Sequence, residues 1–296
     1  MSNLKEIRTR ISSVQSTKKI TSAMKMVAAA KLKKAQDAVI NLRPYANKLQ
    51  NLLIDIAQSI EHGSVSSPFM RPPRKEGGNV LLVVISSNKG LCGAFNSNII
   101  KKATEVIQKK YSRKNRKGEL FIFTLGKKAT EHFESSPYKM YGSDDEVLEK
   151  SEYNEILPVI KKLMDSYEKE EFDKIEIVYN KFKNAAVQIL TVEKFLPLDL
   201  KLNEQREMNH HNYIFEPDKQ SIVRELIPKS LRIQFYEAIL ESLAAEHGAR
   251  MTAMHKATDN ATDLIKELRL KYNKARQSAI TTEISEVVSG AEALNK

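Results

Sequence analysis

The chain has 296 residues, of which 41% are hydrophobic, so it can bury a sizeable core and wholesale disorder is excluded. Its formal net charge of +11 favours negatively charged partners such as nucleic acid, anionic lipid or an acidic protein surface. The single cysteine, Cys92, excludes an internal disulfide, and the sequence lacks the run of about 18 apolar residues that a membrane span needs.

The first segment is predicted to be a long helix with a coiled-coil seam. From Leu4 to Ile56, apolar or small residues recur at alternating spacings of three and four, which is the period of such a seam. Pro44 is expected to bend or loosen this helix, because proline removes one backbone donor. Three consecutive seam positions are polar, and these are Lys18, Thr21 and Lys25.

The middle of the chain alternates strand and helix patterns, which predicts a small Rossmann-like α/β domain with a partly parallel sheet. Its first strand, VLLVVIS, is a continuous apolar run typical of a strand buried on both faces. The predicted strands are Val80 to Ser86, Glu119 to Leu125, Lys174 to Asn180 and Ala186 to Phe195. The predicted helices are Asn96 to Lys110, Lys127 to Phe133 and Glu146 to Glu170, the last with an irregularity at Pro158.

The final stretch, from about Pro228, is predicted to be a second long helix. It has no proline between Lys229 and Ser289, and Gly248 is the only glycine in that range. Sixty helical residues would reach about 90 Å, which is too long for one small domain to bury. Its seam positions are Leu240, Ala244, His247, Met251, Met254, Thr258, Ala261, Ile265, Leu268, Tyr272, Ala275 and Ala279.

Two heptad helices at opposite ends of one chain can pack on each other as an antiparallel coiled coil, with the α/β domain inserted between them. The alternative is two unrelated helices in a larger bundle. The expected fold class is thus α+β or α/β. The expected divisions are a coiled-coil helix over 1–62, a linker over 63–79, the α/β domain over 80–200, a surface loop over 201–217 and the second coiled-coil helix over 218–296.

Few residues suggest chemistry. The loop from Ser86 to Asn96 lies between a strand and a helix, but it lacks the GK[ST] ending of a P-loop, so a tight turn at Gly90 and Gly93 is favoured over a nucleotide site. Cys92 is expected to be a buried packing residue. His210 and His211 have no ligand partners at metal spacing. No acid/base pair or triad is evident, so no catalytic, cofactor-binding or metal residue is predicted and the chain is not expected to be an enzyme.

Positive charge is concentrated in the first helix. Up to Lys48 it carries eleven lysines and arginines against the two acids Glu6 and Asp37. Such a run can be no more than a solvated face, or it can bind nucleic acid or an acidic protein wall. Nucleic-acid binding would be accompanied by interleaved aromatic residues or a known module, and neither is present.

Three long motifs occur at the two ends and in the middle of the chain. They are Lys5 to Leu32, with its KITSAMKMVAAAKL ending; the loop KGLCGAFN from Lys89 to Asn96; and the final helix, with EHGARMTAM from Glu246, YNKARQSAITTE from Tyr272 and the ending Gly290 to Leu294. In sequence and in order, these motifs resemble those of the gamma subunit of F-type ATP synthases in its bacterial form.

The resemblance implies a rotor in the central stalk of the enzyme complex. In the family, ion flow turns a c-ring, the gamma subunit turns with it inside a ring of alpha and beta subunits, and its asymmetry drives the catalytic beta subunits through their states. The implied partners are therefore alpha, beta and epsilon subunits and the c-ring, without nucleic acid or cofactor. The implied location is the cytoplasmic side of the cell inner membrane, where the chain is peripheral.

By the same resemblance, contacts with the alpha and beta subunits fall on matched motif positions. Those in the first helix are expected to meet an acidic lever region of beta, and two in the last helix match a hydrogen-bonding catch. The candidate contact residues are Met24, Lys25, Lys31, Lys33, Lys101, Arg250, Arg276, Gln277, Thr281 and Glu283.

Two other functions stay open from the residues alone. One is a basic coiled-coil scaffold that binds nucleic acid or acidic proteins. The other is an α/β protein that binds a nucleotide at Gly90 to Gly93. The N-terminus lacks the apolar segment of a secretory signal, so a cytosolic protein, or one on the cytosolic face of a membrane, is expected.

Overall fold

The fold consists of two very long terminal helices and a five-stranded sheet with its own helices. The computed structural model describes residues 2–59, 67–72, 74, 78–150, 152–198, 216 and 218–294. The helices are α1 (Ser2–Ser59), α2 (Phe95–Lys110), α3 (Ser112–Arg116), α4 (Lys127–Glu134), α5 (Val147–Lys150), α6 (Tyr153–Glu168) and α7 (Lys219–Leu294), with a short 3-10 helix at Pro68–Met70. The strands are β1 (Val80–Ile85), β2 (Leu120–Leu125), β3 (Lys139–Asp144), β4 (Lys174–Phe182) and β5 (Gln188–Leu196).

The chain divides into two compact units, and both long helices contribute to each of them. The terminal unit comprises Met1–Ala29 and Arg250–Lys296, and the sheet unit comprises Ala30–Ala249. The finer five-part division from the sequence stays a prediction. Its loop over 201–217, which includes His210 and His211, lies outside the described residues except for Glu216.

In the terminal unit, α1 and α7 pack as an antiparallel pair. Thr21 meets Thr258 at 2.8 Å between hydroxyl oxygens, and Lys25, one turn further along α1, meets His255, one turn back along α7. Every predicted seam position of both helices is buried or half-buried, so the heptad reading of the sequence is confirmed. Small residues such as Ala28, which is 2% exposed, allow the backbones to approach closely.

The sheet of the other unit has the strand order β3-β2-β1-β4-β5. The pairs β1–β2, β1–β4 and β2–β3 are parallel, whereas β5 runs antiparallel to β4 at one edge. Because parallel strands need crossover helices, α2, α4 and α6 follow β1, β2 and β3 in sequence. This is the partly parallel, Rossmann-like domain that the sequence predicts.

Strand β1 is apolar throughout because helices cover both of its faces. On one face, Leu82 and Val84 share a core with Ile99 of α2 and Phe133 of α4. On the other, alternate residues of β1 share a core with α6 and with the parts of α1 and α7 that belong to this unit. The members of this second core include Leu81, Val83, Ile160, Leu163, Leu53, Ile56, Ile227 and Phe235.

The structure departs from the sequence-based expectations in two places. Strand β3 was not predicted, and the expected helix from Glu146 to Glu170 is two helices, α5 and α6. Helix α7 begins at Lys219, one residue after the start at 218 in the expected division, and Pro228 lies inside it, as Pro44 lies inside α1. Strand β3 has only half-buried or exposed residues, so its sequence carries no apolar run, and it becomes a strand through pairing with β2.

Candidate functional site

The first group of candidate residues lies on α1 in the terminal unit. Met24 and Lys25 are half-buried beside the polar part of the seam. The Lys25 Nζ lies 3.5 Å from Nδ1 of His255, so its ammonium group is held at the edge of the helix pair and stays partly solvated. One turn earlier, the Thr21–Thr258 hydroxyl contact fixes the register of the two helices.

Further along α1, in the sheet unit, Lys31 and Lys33 flank the buried seam residue Leu32. Helical geometry directs them away from the seam, because neighbours of a buried position point to other faces. Lys33 pairs with Asp37 at 2.8 Å, and the Lys33 side chain remains 74% exposed. Both ammonium groups are therefore available to a carboxylate on another molecule.

A second group lies on the last turns of α7 in the terminal unit. Arg276, Gln277, Thr281 and Glu283 are all exposed. The Thr281 hydroxyl donates to the Gln277 carbonyl oxygen at 2.9 Å, which is ordinary helical back-bonding. The side chains of Arg276, Gln277 and Glu283 make no hydrogen bond or ion pair within residues 2–59 and 218–294, and they face solvent.

The candidate residues of the terminal unit do not form one cluster. Lys25 lies opposite His255, and Arg276 follows His255 by 21 positions on the same helix. At 1.5 Å of rise per residue this separation is about 30 Å. Arg250, where the α7 part of this unit begins, is half-buried. The polar candidate residues of this unit therefore lie at separate positions along the helix pair, and they do not converge on a pocket.

Lys101 lies on α2, the helix that follows the glycine-containing loop. It is exposed, and its neighbour Lys102 pairs with Glu105 at 3.2 Å. Within the loop, the Asn96 side chain accepts hydrogen bonds from the backbone N–H and the hydroxyl of Ser87, both at 3.0 Å. This network fixes the loop in front of α2.

Cys92, the single cysteine of the chain, lies in this loop and is 2% exposed, which confirms the prediction of a packing cysteine. Its neighbours include Phe95 and Ala245. Gly93 has φ 61°, in the left-handed region that favours glycine, whereas Gly90 is not in that region. Leu91 also has φ 61°, which is uncommon for a residue with a side chain. The expectation that the turn needs both glycines is therefore correct for Gly93 alone.

Comparison with known proteins decides the family. A family model described as ATP synthase matches residues 3–294. The ATP synthase gamma chain of Flavobacterium johnsoniae is 50% identical over the whole of both chains, and that of Christiangramia forsetii is 48% identical, also over the whole of both. The chain belongs to the ATP synthase gamma chain family.

Solved structures show the same fold at lower identity. A chain in the Euglena gracilis mitochondrial ATP synthase is 20% identical, with a TM-score of 0.66 over 99% of this chain and 95% of that one. A chain in the central stalk and c-ring of the Tetrahymena thermophila mitochondrial enzyme is 24% identical, with a TM-score of 0.57 over 80% of this chain and 99% of that one. The rival readings, a nucleic-acid scaffold and a nucleotide-binding protein, are not favoured by these similarities.

One feature of this gamma-chain member was missed by the sequence reading. Beyond the seam, α7 exposes an apolar strip in which Ile280, Ile284 and Val287 are 47%, 59% and 71% exposed. Their spacings of four and three place them on one helix face, next to the polar candidates. The signal was present in the sequence, because these residues lie off the seam that ends with Ala279.

The sheet unit contains a buried carboxylate that links several elements, Glu241 of α7, which is 1% exposed. It accepts a hydrogen bond from Arg43 of α1 at 2.6 Å and from the backbone N–H of Phe182 at 2.8 Å. One turn earlier on α7, burial and then the charge of Glu241 raise the pKa of the Glu237 carboxyl. These contacts join the helix pair to the end of β4.

The described residues contain neither a metal site nor a membrane-spanning helix. Within them, no group of three or more His, Cys, Asp or Glu side chains has the arrangement of a metal site. None of the described helices combines the length and apolar character needed to cross a bilayer. The candidate functional surface therefore consists of the exposed charged and apolar side chains along the two long helices.

Proposed function

We propose that this chain, the central-stalk rotor subunit of an F-type ATP synthase, passes the rotation of the c-ring to the catalytic beta subunits and carries out no chemistry itself. The single observation that supports this most strongly is the similarity to gamma chains over the whole length, at up to 50% identity. The paired helices α1 and α7 give a physical means, because a helix pair resists bending and can transmit torque.

A rotor acts by biasing conformational equilibria. At each angle, the rotor presents different side chains to a given beta subunit and stabilises one of its conformations over the others. The coupling energy is limited to the difference between those contacts. Exposed cations suit this task, since surface ion pairs contribute about 0 to 1 kcal/mol and can form and break without stalling the rotor.

The proposed contacts on α1 are Met24, Lys25, Lys31 and Lys33. Their three ammonium groups are half-buried or exposed, and they would meet acidic loops of the beta subunits. Lys25 is steadied by His255, so it presents its charge at a fixed place on the rotor. Lys33 is shared with Asp37 and would exchange that partner for a carboxylate of beta.

The proposed contacts on α7 are Arg276, Gln277, Thr281 and Glu283, which would hydrogen-bond to loops of the alpha and beta subunits. Ile280 lies among them and Ile284 directly follows Glu283, and both would pack against apolar surface of the same subunits. Arg250 on α7 and Lys101 on α2 are proposed as further contacts with alpha or beta. The sheet unit is proposed to bind the epsilon subunit and the c-ring.

We also propose that the chain is peripheral to the cell inner membrane, on its cytoplasmic side, through these partners. The experiment is reconstitution with purified alpha and beta subunits, with a fluorescent or gold tag on the cysteine that Lys127→Cys introduces in the sheet unit, where the native Cys92 is buried. The complex should hydrolyse ATP, and the tag should rotate in discrete steps. Lys127 is exposed and is not one of the named contacts with alpha or beta, and a complex with Lys127→Gln should hydrolyse ATP at the unmodified rate.

The matched control is a complex built with an unrelated antiparallel coiled coil of the same length. If that complex hydrolyses ATP at the same rate, the asymmetric contacts of this chain are unnecessary and the coupling role is refuted. A complex that hydrolyses ATP while the tag stays still would equally contradict the rotor assignment.

A further inference from the structure

The sheet unit carries a dense group of cations at one edge of its sheet. Within nine residues of α2, α3 and the turn after them there are six lysines and arginines and no acid. They are Lys109, Lys110, Arg113, Lys114, Arg116 and Lys117. The segment lies at the amino edge of the parallel strands, because Glu119 directly precedes β2 and its carbonyl oxygen accepts from the N–H of Val80 at the start of β1.

Three of these cations are engaged by carboxylates of the same unit. Lys109 pairs with Glu105 at 2.8 Å, Lys110 with Glu176 at 2.6 Å and Lys114 with Glu119 at 2.9 Å. The remaining three, which we call the edge triad, are Arg113, Arg116 and Lys117. All three are exposed, and none forms an ion pair with any of the described residues.

The edge triad is held in place by its surroundings. Between its members and the sheet, Tyr111 is 5% exposed and packs into the core beside α2. The Glu119 N–H donates to the Lys114 carbonyl oxygen at 2.9 Å, and the Lys139 ammonium group donates to the Gly118 carbonyl oxygen at 3.1 Å. The three charges therefore project from a fixed turn and not from a free tail.

The side chains around the edge triad indicate which kind of anionic partner it would bind. The energetic centres of protein interfaces combine arginine with aromatic anchors such as Trp and Tyr, and single-stranded nucleic acid is bound by exposed aromatic rings. No apolar side chain of residues 109–118 is exposed, since Tyr111 is buried and the others are polar, charged or glycine. A plane of lipid headgroups needs no such anchor, because it offers many mobile negative charges to any cluster of cations.

We propose that the edge triad is a docking surface for anionic phospholipid headgroups, so that the amino edge of the sheet rests against a membrane surface. Each basic side chain near such a surface increases binding about five-fold, and three of them together about a hundred-fold. The attraction falls off within about 10 Å at 0.1 M salt, so only cations at the surface itself contribute. This proposal does not depend on the rotor assignment, because the isolated chain and vesicles suffice to test it.

The test is co-sedimentation of the full chain with vesicles of phosphatidylglycerol and phosphatidylcholine, and with vesicles of phosphatidylcholine alone. The test variant is Arg113→Gln, Arg116→Gln, Lys117→Gln. The matched control is Lys127→Gln, Lys161→Gln, Lys183→Gln, which removes the same charge from exposed sites elsewhere in the unit. Glutamine keeps helix propensity, and equal melting temperatures of the two variants would show that the fold is intact.

We expect the test variant to lose about a hundred-fold in affinity for the anionic vesicles. The control should lose at most a few-fold, and binding of the unmodified chain should weaken steeply with salt. Equal losses in the two variants would overturn the proposal, because binding would then follow net charge alone, including that of α1. Tighter triad-dependent binding to poly-glutamate than to the vesicles would also overturn it, in favour of an acidic protein.

Discussion

Arg43 of α1 donates a hydrogen bond of 2.6 Å to Glu241 of α7, although 197 residues lie between them in the chain. The second oxygen of Glu241 accepts from the backbone N–H of Phe182 at 2.8 Å, so one buried carboxylate joins both long helices to the end of β4. Removing it leaves two donors without an acceptor. Buried donors that lose their partner are costly, whereas exposed ion pairs contribute little.

We therefore expect Glu241→Ala to lower the free energy of unfolding by about 3 kcal/mol. Arg43→Ala should cost somewhat less, about 2 kcal/mol, since the Arg43 side chain is 44% exposed and water can replace its guanidinium group, although the Glu241 carboxylate that stays behind is only 1% exposed. Urea unfolding followed by circular dichroism measures both. The control is Lys128→Ala, which breaks an equally short but exposed pair with Glu131 and should change stability by less than about 0.5 kcal/mol. An equal loss in all three variants would contradict this account.

Glu237 gives a pH dependence whose sign can be worked out. Burial and the charge of Glu241 raise the pKa of Glu237 in the folded state above its ordinary value. At a pH below the pKa that Glu237 has in the unfolded chain, its carboxyl is protonated in both the folded and the unfolded state, and it does not destabilise the fold. As the pH rises through the folded-state pKa, ionisation costs more in the folded state, so this contribution to stability is lost.

Glu237→Gln removes that penalty. The variant should be more stable than the unmodified chain at about pH 8, and the difference should shrink towards zero at about pH 4. Urea unfolding across this range measures it. The control Glu168→Gln removes an exposed carboxyl of α6 and should run parallel to the unmodified chain. A difference that grows on acidification would show that the sign is wrong.

The sequence predicts those elements whose signal is local. The heptad seam from Leu4 to Ile56 follows from spacing alone. Strand β1 is recognisable because it has six consecutive apolar residues, which is the pattern of a strand buried on both faces. Strand β3 could not be predicted, because KMYGSD has no apolar alternation and is defined by its neighbour β2. Likewise, nothing near Arg43 in the sequence indicates Glu241. A contact between residues that lie far apart in the sequence can be recognised only once the fold is known.

For the candidate site too, some features can be predicted from the local sequence and others depend on the fold. The exposure of Lys31 and Lys33 follows from the seam, since Leu32 between them is a seam position. The contact of Lys25 with His255 depends on the register of two helices, which the sequence leaves open within a heptad. The structure fixes that register through Thr21 and Thr258, and this pair can be tested.

The Thr21–Thr258 contact should appear as a coupling energy in a double-mutant cycle. The oxygens are 2.8 Å apart, and each hydroxyl also lies within hydrogen-bond distance of a carbonyl oxygen of its own helix. Thr21→Val and Thr258→Val should each cost about 1 kcal/mol, and the double variant should cost less than their sum. Thermal unfolding measures the cycle, with exposed Thr9→Val as a control of little effect. Strict additivity would indicate a different register.

Substitution of Arg276 and Gln277 should affect rotary coupling without affecting the stability of the fold. Both side chains are exposed on α7, so Arg276→Ala with Gln277→Ala should change the free energy of unfolding by less than about 0.5 kcal/mol. In the reconstituted complex, the same pair should lower the ATP synthesised per ion transported, or the torque of single rotors. The control is Asn273→Ala with Lys274→Ala on the same helix. Equal loss of coupling in both variants would mean that these positions make no specific contact.

Gly248 and Gly290 of α7 should respond in opposite directions to the same substitution. A Cβ at Gly248 would lie 3.1 Å from Cα of Ala185 and 3.3 Å from its carbonyl oxygen, whereas Gly290 has nothing within 4 Å. Alanine favours a helix interior over glycine by about 1 kcal/mol. At position 290 that preference acts alone, although fraying near the end of the helix reduces it.

Gly290→Ala should therefore leave stability unchanged or raise it by up to about 1 kcal/mol. Gly248→Ala should lower stability by about 1 to 2 kcal/mol, because the backbone at Ala185 must move and overpacking exceeds the gain in helix propensity. Denaturant unfolding of both variants gives the comparison. Gly248→Ser adds a larger side chain at the same place and should cost more than alanine. A gain in stability from Gly248→Ala would show that the turn at Ala185 does not press on the helix, and that glycine there has no packing role.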